Sequence, residues 1–205
     1  MPISGVILGN LIFVECSGQG FTGSKLLQLS NALGNGIVNS ILATAIYTGT
    51  STGLGIGVGA STGTLAGSII IGPAIGSLIF SQMGLLGLLG SKTLSLSTAI
   101  GNAVATHMST AIVTGSSTIV ATGAGTGTIV GVVGSAMGSM INLQMTAFSL
   151  TGTDSVKLAN AIGNGVALAI QASLVTTSIV GVPIGVVPPA FPPIPSVGTD
   201  IGRLI

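Results

Sequence analysis

The sequence predicts a mainly α protein built of helical-hairpin repeats, two full copies and a partial third. Gly/Ser/Thr-rich connections between the helices form short β-hairpins, and a Pro-rich tail closes the chain. Three observations lead there: a seven-residue element occurs three times, apolar residues within each copy return every four positions, and the intervening segments are dense in Gly, Ser and Thr. Recurrence at a fixed long interval marks a repeated supersecondary unit.

The repeated element is Leu29-Ser-Asn-Ala-Leu-Gly-Asn35, which returns as Leu96–Asn102 and as Leu158–Asn164, at intervals of 67 and 62 residues. The first two copies stay in step further on. Gly63-Thr-Leu-Ala-Gly67 matches Gly127-Thr-Ile-Val-Gly131, Ala74–Ile79 matches Ala136–Ile141, and Gln82-Met83 matches Gln144-Met145. In the third copy this second half gives way to Pro183–Pro195. Gly9-Asn10 reads as a relic of the Gly-Asn element. The chain then divides into an N-terminal segment 1–24, repeat one at 25–91, repeat two at 92–153, a partial third at 154–182 and the tail at 183–205.

Each full copy carries two helices. In the first, Leu29, Leu33, Ile37, Ile41 and Ala45 fall on one face, while Asn31, Asn35 and Asn39 line another, a helical period with a seam of amides. Leu96, Ile100, Val104, Met108 and Ala111 repeat the stripe, as do Leu158, Ile162, Val166, Ile170 and Leu174. The second helix runs from Pro73, suited to a first turn, to about Leu86, and from Ser135 to about Phe148.

The connections, roughly twenty residues long, exceed an ordinary turn. Gly53-Leu-Gly-Ile-Gly-Val-Gly59 alternates with a strand period that leaves one face bare, and Ile112–Val113 and Ile119–Val120 are β-branched. The alternative is an all-helix version in which Gly49, Gly53 and Gly57 form a close-packing face. With hairpins in place, all seven charged residues are expected at one end of the molecule.

Charge is the scarce commodity. Only 3% of residues are Asp, Glu, Lys or Arg, against about a quarter in an ordinary soluble domain. None occurs between Leu26 and Ser91 or between Leu158 and Thr199. Such a surface associates in water, so lipid or other protein is expected to cover it. A formal charge of +1 leaves no basic footprint for nucleic acid, and the lone Cys16 excludes an internal disulfide. Met1–Cys16 has no basic residue ahead of its apolar run and is not expected to be a secretory signal.

Candidate chemistry is sparse. Gly18-Gln-Gly-Phe-Thr-Gly23 matches a dinucleotide fingerprint, follows the strand-like Leu11–Val14 and precedes a helix, but no acid follows until Asp154. Gly59-Ala-Ser61-Thr-Gly63 matches a nucleophile elbow, yet no carboxylate lies between Ser61 and His107 to complete a triad. In a chain with 34 glycines both matches are expected by chance. His107, the sole histidine, cannot build a metal site alone and is expected as a hydrogen-bonded interface residue. Asn35, Asn102 and Asn164 are expected to bond across helices, since buried amides need partners. No catalytic, cofactor or metal residue is assigned, and no enzyme, cofactor or small-molecule substrate is expected.

The motif around Lys157–Val166, Lys-Leu-x-x-Ala-Ile-Gly-Asn-Gly-Val, and the Gly-x-Gly-Thr-Gly around Gly123–Gly127 resemble small hydrophobic repeat-containing virion proteins of tailed bacteriophages, over Lys25 to Gly185. In those proteins the first helix often carries a histidine at the position of His107. The resemblance implies a structural role in the tail or baseplate, with other virion proteins and further copies of the chain as partners. The alternative is an integral or membrane-inserting, pore-like oligomer at a host membrane. Leu65–Gly90 is free of charge over 26 residues, enough to cross a hydrocarbon core of about 30 Å. Absence of Trp and the dilution by Gly, Ser and Thr argue against that alternative.

Overall fold

The computed structural model describes residues 4–44, 47–54, 57–64, 71–119, 122–181 and 195–204. Among the described residues there are six helices: α1 (Gly5–Gly18), α2 (Leu26–Thr44), α3 (Gly72–Leu85), α4 (Thr93–Met108), α5 (Gly134–Ala147) and α6 (Ser155–Gln171). Six strands join them: β1 (Tyr47–Leu54), β2 (Gly57–Thr64), β3 (Ile112–Ile119), β4 (Thr122–Val130), β5 (Leu174–Gly181) and β6 (Pro195–Leu204). Helices of 14 to 19 residues outweigh strands of 8 to 10, so the chain is mainly α.

The order is α–α–β–β three times over. Within each unit the helices form an antiparallel hairpin, and each hairpin packs on the next, α2 on α3, α4 on α5 and α6 back on α1. The result is a closed ring of six helices with pseudo-threefold symmetry. The 67- and 62-residue offsets superpose its core. Leu8, Ile75 and Met137 are equivalent, as are Ile12, Ile79 and Ile141, then Ile37, Val104 and Val166, and all nine are fully buried.

What brings each hairpin together is an absence of side chain. Gly5 and Gly9 cross Gly34, as Gly72 and Gly76 cross Gly101 and Gly134 and Gly138 cross Gly163. A Cβ on Gly34, Gly101 or Gly163 would lie only 2.7–2.9 Å from the opposing glycine Cα, so only glycine permits this approach. Small residues four apart are the usual device for drawing helix backbones together.

The strands close into a barrel in the order β1-β2-β3-β4-β5-β6, every pair antiparallel. Its register is regular. Following partners from Val197 through Thr52, Ala60, Ser116, Thr126 and Thr176 returns to β6 at Arg203, six residues further on. Val113, Gly127 and Ile129 are buried in the lumen, whereas Ile112 and Val130 face outward. The same register face carries Gly49, Gly57, Gly59, Gly63, Gly115 and Gly125. An eight-stranded barrel is just wide enough to be filled by side chains, so in six strands these glycines offset larger residues such as Val113 and Ile129 on the same face. Val113 and Ile129 join the helical core, so one apolar interior runs from ring to barrel.

Several expectations are corrected. The described elements also fall into three α–α–β–β units beginning at α1, α3 and α5, a different phase of the cyclic repeat from divisions at residues 25, 92 and 154. Residues 1–24 contain the first helix of unit one. Leu11–Val14 is helical rather than strand-like, and Gly9 is the equivalent of Gly76 and Gly138, not of the Gly-Asn element. The third unit is complete, because Pro195–Leu204 pairs with both β5 and β1 where a tail was expected. Residues 183–194 lie outside the described residues. The charges do not all share one end, since Asp200 and Arg203 lie in β6. Leu65–Gly90 is not one span. Its described part is α3 and the turn after it, and no helix among the described residues is long and apolar enough to cross a membrane.

Candidate functional site

Odd-numbered helices run away from the barrel and even-numbered ones return to it, which leaves three helix–helix turns at the far end of the ring. Each turn is built alike. Phe21 N–H donates to the Cys16 carbonyl, Leu88 N–H to Met83 and Leu150 N–H to Met145, at 2.8–3.0 Å. This six-residue closure requires a left-handed residue just after the helix. Gly20 (φ 87°) and Gly87 (φ 67°) supply it, and Ser149 (φ 56°) does so at a steric cost. The fingerprint-like Gly18–Gly23 is therefore a helix C-cap.

The three turns enclose an open apolar cavity of about 670 Å³ lined from all three units, including Phe21, Leu96, Met145, Leu150 and Leu158. A second, of about 560 Å³, shares Phe21 and Leu96 and extends to Leu29, Leu88 and Leu89. Lys25 and Lys92 stand at their rims. Lys157 sits at the same end and pairs with Asp154 at 3.0 Å, both side chains more than half exposed.

The asparagines occupy equivalent, half-buried places, one per hairpin, where each stands against the first glycine of the preceding helix: Asn35 on Gly5, Asn102 on Gly72, Asn164 on Gly134. Asn164 Nδ2 donates to Glu15 Oε2 at 3.2 Å, from α6 to α1, and so links the third unit to the first. Asn102 faces Gln144 of the next unit across a polar cavity of about 440 Å³ with Thr106 and Ser109. Glu15, Gln82 and Gln144 are the equivalent residues of the odd helices, a correspondence legible in the sequence once the units are framed on α1.

His107 lies in the last turn of α4, where the other units carry Ser40 and Ala169. Its Nε2 accepts the Val133 N–H at 3.2 Å, which requires a neutral ring with the proton on Nδ1. Burial lowers its pKa below the usual histidine value and favours that neutral form. Gln171 Nε2 donates to the Val132 carbonyl at 2.6 Å from α6. Together they clamp the β4–α5 junction between two helices. Ser61 lies within β2 rather than on a strand-to-helix turn, so the elbow motif lacks its geometry. Cys16 is buried in α1, and burial, with Glu15 beside it, pushes its thiol up to about 11. Among the described residues no group of three His, Cys, Asp or Glu side chains could hold a metal ion.

What sequence reading missed is the turn Gly84-Leu-Leu-Gly-Leu-Leu-Gly90. Leu85 is 76% exposed, Leu89 63% and Leu86 37%, while Leu88 packs on the core. The run itself was visible, but it had been absorbed into a candidate span.

Fold and site together define a single-chain pseudo-threefold scaffold, a helix ring capped by a narrow barrel. No family model, curated protein or solved structure matches the chain.

Proposed function

We propose that the chain is a non-enzymatic structural component of a tailed-phage virion, associated with the tail or baseplate, its uncharged flank buried against other virion subunits and further copies of itself. The observation that carries this reading is the outer flank of the helix ring. Val6, Val14, Leu143 and Leu168 are 46–66% exposed there, and Glu15 is the one charged residue on α1, α3 and α5. Exposed aliphatic side chains on a flank this poor in charge fit burial against other subunits. The pseudo-threefold form suits a place on the axis of a symmetric assembly, and the motifs around Lys157–Val166 and Gly123–Gly127 support a virion.

The test is the state of the full-length chain. It is expected to sediment within a large particle, and when produced alone to require detergent. A stable single copy in plain buffer would overturn the reading. A second reading, a membrane-inserting oligomer, is favoured by the exposed leucine turn.

A further inference from the structure

Three equivalent turns close the far end of the ring, yet their composition differs sharply. Where the α3–α4 turn exposes Leu85, Leu86 and Leu89, the α1–α2 turn has Gly18, Gln19 and Thr22, and the α5–α6 turn has Ala147, Phe148 and Thr151. Ring closure needs only the buried member of each turn, Phe21, Leu88 or Leu150. The extra leucines therefore answer to something outside the chain.

The turn is held rigid. Gly87 N–H donates to the Gly84 carbonyl at 3.1 Å, and Gly90 N–H to Thr93 Oγ1 at 2.8 Å. Thr93 Oγ1 in turn donates to the Leu88 carbonyl at 3.3 Å. Leu85 and Leu86 are thus presented on a fixed tip, while Leu89, still 63% exposed, stands at the edge of the cavity beneath it. Exposed Leu27, Leu94 and Val156, one from each unit, extend the apolar surface around the same end. Lys25, Lys92 and Lys157 are three of the four Lys and Arg residues of the whole chain, and all lie here, with Asp154 paired to Lys157 and Glu15 in the last turn of α1. Aliphatic tips set inside a collar of lysine match the layering of an anionic leaflet, whose headgroups draw cations while its boundary takes apolar side chains.

We propose that this end of the molecule docks on an anionic lipid surface, with Leu85, Leu86 and Leu89 entering the headgroup–acyl boundary and Lys25 and Lys92 contacting headgroup phosphates. This goes beyond the virion reading, and the two fail separately: one is decided by the size of the native particle, the other by lipid.

The experiment is flotation of the full-length chain, diluted from mild detergent, with phosphatidylcholine vesicles containing or lacking phosphatidylglycerol. The wild type is expected to float with the anionic vesicles, less so at high salt. The double variant Leu85→Ser/Leu89→Ser should lose at least about tenfold in partitioning. Lys25→Gln/Lys92→Gln should lose most of the preference for the anionic lipid, by about fivefold per lysine. The flank variant Val14→Ser/Leu143→Ser should float like the wild type. An environment-sensitive dye on Leu89→Cys, where Cys16 is too buried to compete, should shift to the blue with anionic vesicles. Unchanged flotation of the leucine variant, loss of flotation in the flank variant, or a leucine variant that alters only self-association would each overturn the proposal.

Discussion

At the scale of single residues, symmetry turns departures from the pattern into experiments. Ser149 holds a left-handed conformation that glycine holds in the equivalent turns. Ser149→Gly relieves that strain, offset in part by the greater freedom of the unfolded chain. A net stabilisation of up to about 1 kcal/mol is expected in thermal denaturation of the assembled protein. His107 makes the opposite point, since the equivalent positions carry Ser40 and Ala169. Its lowered pKa means that the unfolded chain takes up a proton first as pH falls. The stabilisation is therefore complete above about 6.5 and drains away below it as pH approaches the folded value. His107→Ala should flatten this acid limb and cost about 1–2 kcal/mol through the unpaired Val133 N–H, while assembly persists. Denaturation midpoints across pH check both. The histidine was legible as a hydrogen-bonded residue; its partner was not, because Val133 lies 26 residues away across a barrel hairpin.

At the scale of elements, periodicity located the helices well. The stripe from Leu29 became α2, and Pro73 and Ser135 sit in the first turns of α3 and α5. The helix before them was missed because the few polar residues of α1, Asn10, Glu15 and Ser17, set no amphipathic period among its apolar ones, so it read as strand plus relic. The hairpin crossing depends on glycine alone. Gly101→Ala would set a methyl 2.9 Å from Gly76 Cα, where no side chain can move aside, and a loss of about 3 kcal/mol is expected in chemical denaturation. Gly53 and Gly57–Gly59 lie in β1 and β2 as the alternation signalled, while residues 55 and 56 lie outside the described residues. Which face turns inward follows only from closure of the barrel.

At the scale of the whole molecule, β6 decides whether the barrel has edges. It pairs with β5 on one side and β1 on the other, so removing residues 195–205 would expose two unpaired strands. Truncation after residue 194 is expected to aggregate, seen as loss of the chain from the supernatant under conditions that keep the full length dispersed. The sequence by itself determined the repetition, the helical stripes, the strand-like connections and the scarcity of charge, because each is written in local spacing or in composition. Only the tertiary structure decided where a unit begins, that the third is whole, and that ring and barrel both close. A cyclic repeat reads the same from any starting point, and the contacts that break that tie, β6 to β1 and α6 to α1, join opposite ends of the chain.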